Sequence, residues 1–316
     1  MKDRKMFMTL GILVVVVLIS ALVIGALTGR ITIDTDGEDE ENGEIVVEDA
    51  TGKEVQLEEP PERIVSFMAS NTELLFHLLE EDEQDRIVGV DDYSNYPAEA
   101  QDLPSVGDSF NVDYEKIIEL EPDVVVINQA VSHLRGELED YGEKAFVTSG
   151  ESLDDVYSDM QLLGNLCGIP EKAEEKADEL EEEMVEITNE TKDLTEEERV
   201  DTFYISDAGN EINTPGNDTF QDTLLTNAGA NNIFSDKQGW SNVGEEEIID
   251  REPEVIIAPE YLQIEVEELT EKDSWGDIPA VENDDIYYVD GDMISRPGPR
   301  IVDIQEDLVN ILEGVE

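Results

Sequence analysis

The side chains best placed for chemistry in this sequence are aromatic and amide groups in loops. Tyr93 and Tyr96 lie in Asp91-Asp92-Tyr93-Ser94-Asn95-Tyr96-Pro97, and Trp240 in Gln238-Gly239-Trp240-Ser241-Asn242. Rigid aromatic rings cover a broad apolar ligand face at low entropic cost. A loop tryptophan beside glycine is poorly explained as core, whereas Tyr96 before Pro97 fits a structural role equally well. Ser70 and Asn71 stand at a helix start, where backbone N–H groups point outward and bind anionic or polar groups. Plain helix capping is their other reading. Arg296 offers donors to ligand amides or carboxylates, or an ion pair within an acidic shell.

Other chemistries are poorly served. His77 and His133 are far apart in sequence, and a bare-metal receptor needs several ligands converging on one ion. The single cysteine, Cys167, sits in an apolar run and reads as a small buried hydrophobe; one cysteine excludes internal disulfides and iron–sulfur ligation. No nucleophile elbow, phosphate loop or dinucleotide fingerprint is present. Carboxylate pairs identify nothing, because 81 acidic residues face 19 basic ones, for a net charge of −62. Such a chain repels itself in dilute buffer, but at ~1 M salt the Debye length is ~3 Å. The acidity therefore reads as adaptation to a salty, halophilic setting. Nucleic acid is excluded as a partner, because no basic stripe exists to release counterions.

The elements that must hold these residues follow from the hydropathy pattern. Lys2, Arg4 and Lys5 precede an apolar run from Met6 to Leu27, about 20 residues and long enough to span a bilayer. Residues 1–30 are expected to be a signal anchor with the rest of the chain outside, a cleaved signal peptide being the rival. No cysteine follows the run, so a lipid anchor is not expected. An acidic linker covers 31–43. Strand-like runs at Arg63–Phe67, Arg86–Val90, Asp123–Ile127 and Ala145–Val147 alternate with helices, which implies parallel sheets covered on both faces. Ser70 to Glu73 has the form of a capping box, as do Asp218 and Gln221. Pro170 opens a helix to Lys192 with one apolar face, a rigid strut between blocks or a covering helix of one domain. A second strand–helix block follows. The expected organisation is a lobe at 44–168, a backbone helix at 169–193 and a lobe at 194–316.

The sharpest signal is a duplication. Residues 112–126 and 243–257 share V-x-x-E-x-I-I-x-x-E-P-[D/E]-V-[V/I]-[V/I]. In each, a short helix stops at a proline and a buried strand follows. Two such lobes joined by a strut leave a cleft, a preferred ligand site. Asn213, Thr214 and Gly216 occupy the second-lobe loop comparable to Ser70 and Asn71.

With both repeats in view, the chain resembles the class III, helical-backbone substrate-binding proteins of ABC importers. The resemblance runs from Glu44 to the C-terminus. It rests on Arg63-Ile64-Val65-Ser66, Ser70-Asn71-Thr72-Glu73, Val88 to Pro97, the two repeats, and Ser295-Arg296-Pro297-Gly298-Pro299-Arg300-Ile301. Asp-Tyr-x-x-Tyr-Pro is most similar to the cobalamin-binding members. It implies an α/β fold of two Rossmann-like lobes joined by a backbone helix, no cofactor and no catalysis, and a bulky metal chelate as cargo: cobalamin, with ferric siderophore or haem as alternatives. A metallocofactor-reductase-like enzyme is the remote alternative, weakened by the lone cysteine. The implied partner of the monomeric protein is a permease dimer with its ATPase subunits. Glu115 and Glu246, one per lobe, match the family's permease-docking carboxylates; Glu245 and Glu247 flank the second and leave its register open. The other reading of both is a first-turn glutamate favouring its helix dipole. Phe110 stands where corrinoid relatives carry a ligand-stacking tryptophan.

Overall fold

A computed structural model describes residues 44–189, 191–209 and 211–315. The expected anchor and acidic linker lie outside these residues, and among them no helix is long and apolar enough to cross a membrane. The described chain opens on a hairpin of β1 (Ile45–Glu48) and β2 (Glu54–Leu57). Its turn forms because Asp49 Oδ1 accepts the N–H groups of Thr51 and Lys53, and Gly52 takes the left-handed region at φ 79°.

The first lobe continues with β3 (Ile64–Ser66), α1 (Ala69–Leu78) and β4 (Ile87–Val90). A short antiparallel pair, β5 (Gly107–Asp108) and β6 (Asn111–Val112), leads into α2 (Tyr114–Glu119) and β7 (Val124–Asn128). Then come α3 (Leu134–Asp140) and β8 (Ala145–Thr148). The strands form a parallel sheet in the order β4-β3-β7-β8.

Two helices follow. α4 (Leu153–Cys167) starts on a capping box of Ser152 and Asp155 and ends at left-handed Gly168. α5 (Pro170–Thr188) has proline in its first turn, buries Ala173, Ala177, Leu180 and Met184, and packs on α4. The two approach so closely that a Cβ on Gly164 would meet Ala173 Cβ at 2.1 Å. At 1.5 Å per residue α5 spans about 28 Å.

The second lobe begins with β9 (Val200–Tyr204), β10 (Asp207–Ala208), β11 (Ile212–Pro215), α6 (Phe220–Asn227) and β12 (Ala230–Asn232). It continues with β13 (Trp240–Val243), α7 (Glu245–Asp250), β14 (Val255–Pro259), α8 (Gln263–Thr270) and α9 (Pro279–Glu282). β15 (Ile286–Val289), α10 (Gly291–Ser295) and α11 (Ile301–Glu313) complete it, and α11 packs on α5. Its parallel sheet runs β12-β9-β14-β15, beside an antiparallel sheet β10-β11-β13. Counted within each lobe, both parallel sheets read second, first, third, fourth strand.

Strand alternation places the cores. Val124 and Val126 of β7, with Val255 and Ile257 of β14, join one cluster that also takes in α5. Val125 and Ile127 face a separate first-lobe core, and Ile256 and Ala258 a separate second-lobe core. α5 thus lies over apolar surface that runs on from one lobe's sheet to the other's.

The repeat has a backbone explanation. Glu121 and Glu252, each before its proline, sit in the left-handed region at φ 47° and 48°. Asp123 and Glu254 then donate their N–H groups to the carbonyls of Arg63 and Asp201, each at 2.8 Å. Their carboxylates accept the N–H groups of Arg63 at 2.9 Å and Asp201 at 3.0 Å. The acid after the proline therefore ties each third strand to the entry of its lobe's first strand.

Three local expectations need correction. α1 starts at Ala69 behind Met68, with no side-chain cap, because Glu73 sends its carboxylate to the other lobe instead of back to its own helix end. α6 is capped by Thr219, whose hydroxyl accepts Asp222 N–H, because Asp218 takes a left-handed turn at φ 64° and Gln221 donates to the Ile294 carbonyl. α5 ends at Thr188, short of Lys192; the following turn carries Thr191, whose hydroxyl donates to the Asn227 carbonyl.

Candidate functional site

The C-terminal ends of the two parallel sheets turn toward each other, as side chains bridging them show. Glu73, in the first-lobe helix after β3, has a side chain only 1 % exposed. Two second-lobe arginines converge on it: Arg296 Nη1 at 3.1 Å and Arg300 Nη2 at 2.7 Å from Oε1. Arg300 Nε also donates to Oε2 at 2.8 Å. Around this pair, Arg296 donates to Asn95 Oδ1 and the Tyr93 carbonyl, and Asn95 donates to Asp292 Oδ2. The Arg300 guanidinium lies 4.1 Å from the centre of the Tyr96 ring. A carboxylate this deep is tolerated because two guanidinium groups replace its water. The cluster latches the β4 edge of one lobe to the β15 end of the other.

Beside the latch is a cavity of about 880 Å³ in the second lobe. Trp240, Tyr204 and Tyr261 supply its aromatic surface, with Gln221 and Ser295 on the side next to Arg296. Trp240 and Tyr261 are 50 % and 66 % exposed. Burial raises the Tyr204 phenol above its ordinary value; burial, then the charges of Asp207 and Asp292, raises that of Tyr261.

The antiparallel sheet forms a polar floor. Register puts Asn213 opposite Asn242 and opposite Asp207. Ser206 Oγ donates to Asn213 Oδ1 at 2.8 Å, Asn213 Nδ2 to Asn242 Oδ1 at 2.9 Å, and Asn242 Nδ2 to Glu211 Oε2 at 2.6 Å.

The expected ligand residues separate into groups. Asn213 and Trp240 line the cavity. Tyr93, Tyr96 and Phe110 are exposed on the first lobe, Phe110 at 88 % on the β5–β6 turn, while Arg296 and part of Tyr96 belong to the latch. Ser70, Asn71, Thr214 and Gly216 are buried behind the surface. Asn71 bonds to the Phe67 carbonyl and to the Thr148 hydroxyl, and Thr214 to the Tyr204 carbonyl. A Cβ on Gly216 would meet the Lys237 carbonyl oxygen at 2.4 Å, so that glycine permits close chain packing. Tyr204, Ser206, Asp207 and Tyr261 escaped sequence reasoning, although each follows or ends a parallel strand, where ligands of such sheets gather. Glu211, Gln221, Asn242 and Ser295 gave no signal, except that Asn242 is near Trp240.

Of the glutamates singled out on α2 and α7, Glu115 and Glu246 are exposed and have no hydrogen-bond or ion-pair partner among the described residues. Their neighbours are engaged. Glu245 binds Lys272 Nζ at 2.7 Å and Trp275 Nε1 at 2.9 Å, and Glu247 binds Lys237 at 2.8 Å and Arg251 at 2.9 Å. These contacts hold both flanking carboxyls below the usual range.

Among the described residues no group of three or more His, Cys, Asp or Glu is arranged to hold a metal ion. His77 is half-buried, and burial, then Lys176 and Lys172, push its pKa down to about 4.

Comparison with known proteins places this geometry. Residues 64–293 match the family described as periplasmic binding protein. The uncharacterized ABC transporter substrate-binding lipoprotein YvrC of Bacillus subtilis (strain 168) is 30 % identical over 269 residues, 84 % of each chain. The vitamin B12-binding protein of Salmonella choleraesuis (strain SC-B67) is 27 % identical over 260 residues, 80 % of this chain and 91 % of that one. Among solved structures, a possible iron-binding (periplasmic solute-binding) protein from Staphylococcus epidermidis ATCC 12228 superposes with a TM-score of 0.70 at 30 % identity. The match covers 80 % of this chain and 99 % of the other.

Proposed function

The chain belongs to the periplasmic binding protein family of ABC transporters, whose members bind and carry substrates instead of transforming them, and we propose that its cargo is a corrinoid of the cobalamin type. The observation that carries this reading is the cavity of about 880 Å³ with Trp240 and Tyr261 half-exposed at its surface. That volume is near the upper end of ordinary ligand pockets. On the first lobe, Tyr93 and Phe110 offer further exposed rings. The likeness to vitamin B12-binding relatives supports the same ligand. The second reading, a ferric siderophore or haem, is favoured by the likeness to the possible iron-binding protein.

In this reading the protein works outside the cytoplasm, as a monomer held by residues 6–27. It docks on a permease dimer, with its ATPase subunits, through Glu115 and Glu246. Two carboxylates, one per lobe, fix both position and orientation on a complementary surface. Their freedom from local partners, next to the engaged Glu245 and Glu247, supports that pair. High salt weakens exposed charge pairs, so shape complementarity must contribute.

The chain's two tryptophans allow a direct test. Trp240 borders the cavity and Trp275 is fully buried. Cyanocobalamin added in high salt is expected to quench fluorescence, and Trp240→Phe to remove most of the change. Quenching by a ferric chelate with none by cyanocobalamin would replace the corrinoid with the second reading.

A further inference from the structure

The hydrogen bonds around the cavity engage its serine hydroxyls and one N–H of each amide, and leave acceptor oxygens beside them. Ser206 Oγ gives its hydrogen to Asn213, and Ser295 Oγ gives its hydrogen to the Gly291 carbonyl at 2.6 Å. Gln221 Nε2 donates to the Ile294 carbonyl, and one N–H of each floor asparagine continues the relay that ends on Glu211. What remains on the asparagines is one N–H and one oxygen lone pair each, beside the indole N–H of Trp240 and the tyrosine hydroxyls; the carboxylate oxygens of Glu211 and Asp207 add acceptors with no donor to balance them.

The formal charges point the same way. Asp207 and Glu211 are the ionisable acids of the lining, and no lysine, arginine or histidine lines it. Arg296, adjacent in sequence to the lining residue Ser295, is turned to Glu73, Asp292 and Asn95. An anionic group entering here meets two like charges and no cation.

We infer that Asp207 and Glu211 determine specificity in this cavity, which accepts chelates edged with hydrogen-bond donors such as primary amides or ammonium groups and rejects those edged with carboxylates. The inference rests on the cavity being the ligand site proposed above. It separates the candidate cargoes, since the corrin rim of cobalamin carries primary amides and haem carries two propionates. Acceptors facing amide N–H groups pair them, whereas carboxylates facing carboxylates lose their water without a partner.

The test compares cyanocobalamin with its monocarboxylic acids, in which one rim amide has been hydrolysed, by titration at a fixed high salt concentration. At least one of these acids is expected to bind about tenfold or more weakly than the amide, a difference of about 1.4 kcal/mol. The double variant Asp207→Asn, Glu211→Gln should shrink that ratio to about twofold. Both residues are exposed, so the variant is expected to fold. Equal binding of amide and acids, or an unchanged ratio in the variant, overturns the specificity inference and leaves the corrinoid reading intact. If no corrinoid binds, that reading fails and ferric chelates decide the inference. It stands if the cationic trihydroxamate complex ferrioxamine binds more tightly than ferric citrate and the variant narrows the gap. Tighter binding of ferric citrate, or of neither, overturns it.

Discussion

Between residues 112–126 and between residues 243–257 the chain makes the same excursion in two settings. In each copy a six-residue helix ends at a left-handed glutamate, a proline follows, and an acid ties the next strand to the entry of the lobe's first strand. Ile117 and Ile248 occupy the same place in the pattern and are 1 % and 0 % exposed. What precedes each copy differs. In the first lobe a pair of two-residue strands turns at Phe110, which stands clear of the body. In the second, the four-residue β13 joins a three-stranded sheet and carries Trp240 and Asn242 to the cavity. The hydrogen-bonded unit constrains spacing tightly and its approach loop hardly at all, so one scaffold supports an open aromatic in one lobe and a polar-floored cavity in the other.

That comparison can be strained from both sides. The largest effect is expected where the lobes meet: Glu73→Ala leaves two mostly buried guanidinium groups without their carboxylate and should cost about 3–5 kcal/mol in a urea or thermal denaturation series. A cost below about 1 kcal/mol would mean that water replaces Glu73 and the latch holds nothing. Next, Ile117→Ala and Ile248→Ala should each cost about 2–5 kcal/mol, since both empty equivalent sites in closed cores. Costs that differ severalfold would show that the two copies share a pattern without sharing packing. The smallest effect concerns the surface. Charge reversal at Glu115 and Glu246 should weaken permease binding by about tenfold or more and spare ligand affinity. Reversing Glu245 instead should lower stability, because its contacts with Lys272 and Trp275 are lost. If ligand affinity falls with Glu115 and Glu246, their assignment to docking fails.

Much of the architecture was legible because it depends on near-neighbour rules. The strand runs, the proline-opened helix and the 131-residue offset between copies, 243 minus 112, all follow from local pattern. The site was legible only in part. Trp240 could be picked out as an aromatic beside glycine and Asn213 as the second-lobe counterpart of Ser70 and Asn71, although both lie on strands, β13 and β11, where loops were expected. Thr214 and Gly216, next to Asn213, differ from it only by strand alternation and the close pass of residues 237–239. Glu73 looked like a local cap because sequence spacing cannot reveal that Arg296 and Arg300, more than 200 positions away, offer stronger partners.

By itself the sequence determined that the chain builds two similar α/β lobes under an acidic, weakly cationic surface. Apolar periodicity and proline placement act over a few residues and leave little choice. Only the tertiary structure decided which polar residues face the cavity, which are sealed behind it, and which arginines are committed to the latch. Those outcomes depend on competition between partners distant in the chain, and the winner is the arrangement that leaves fewest buried charges and donors unpaired.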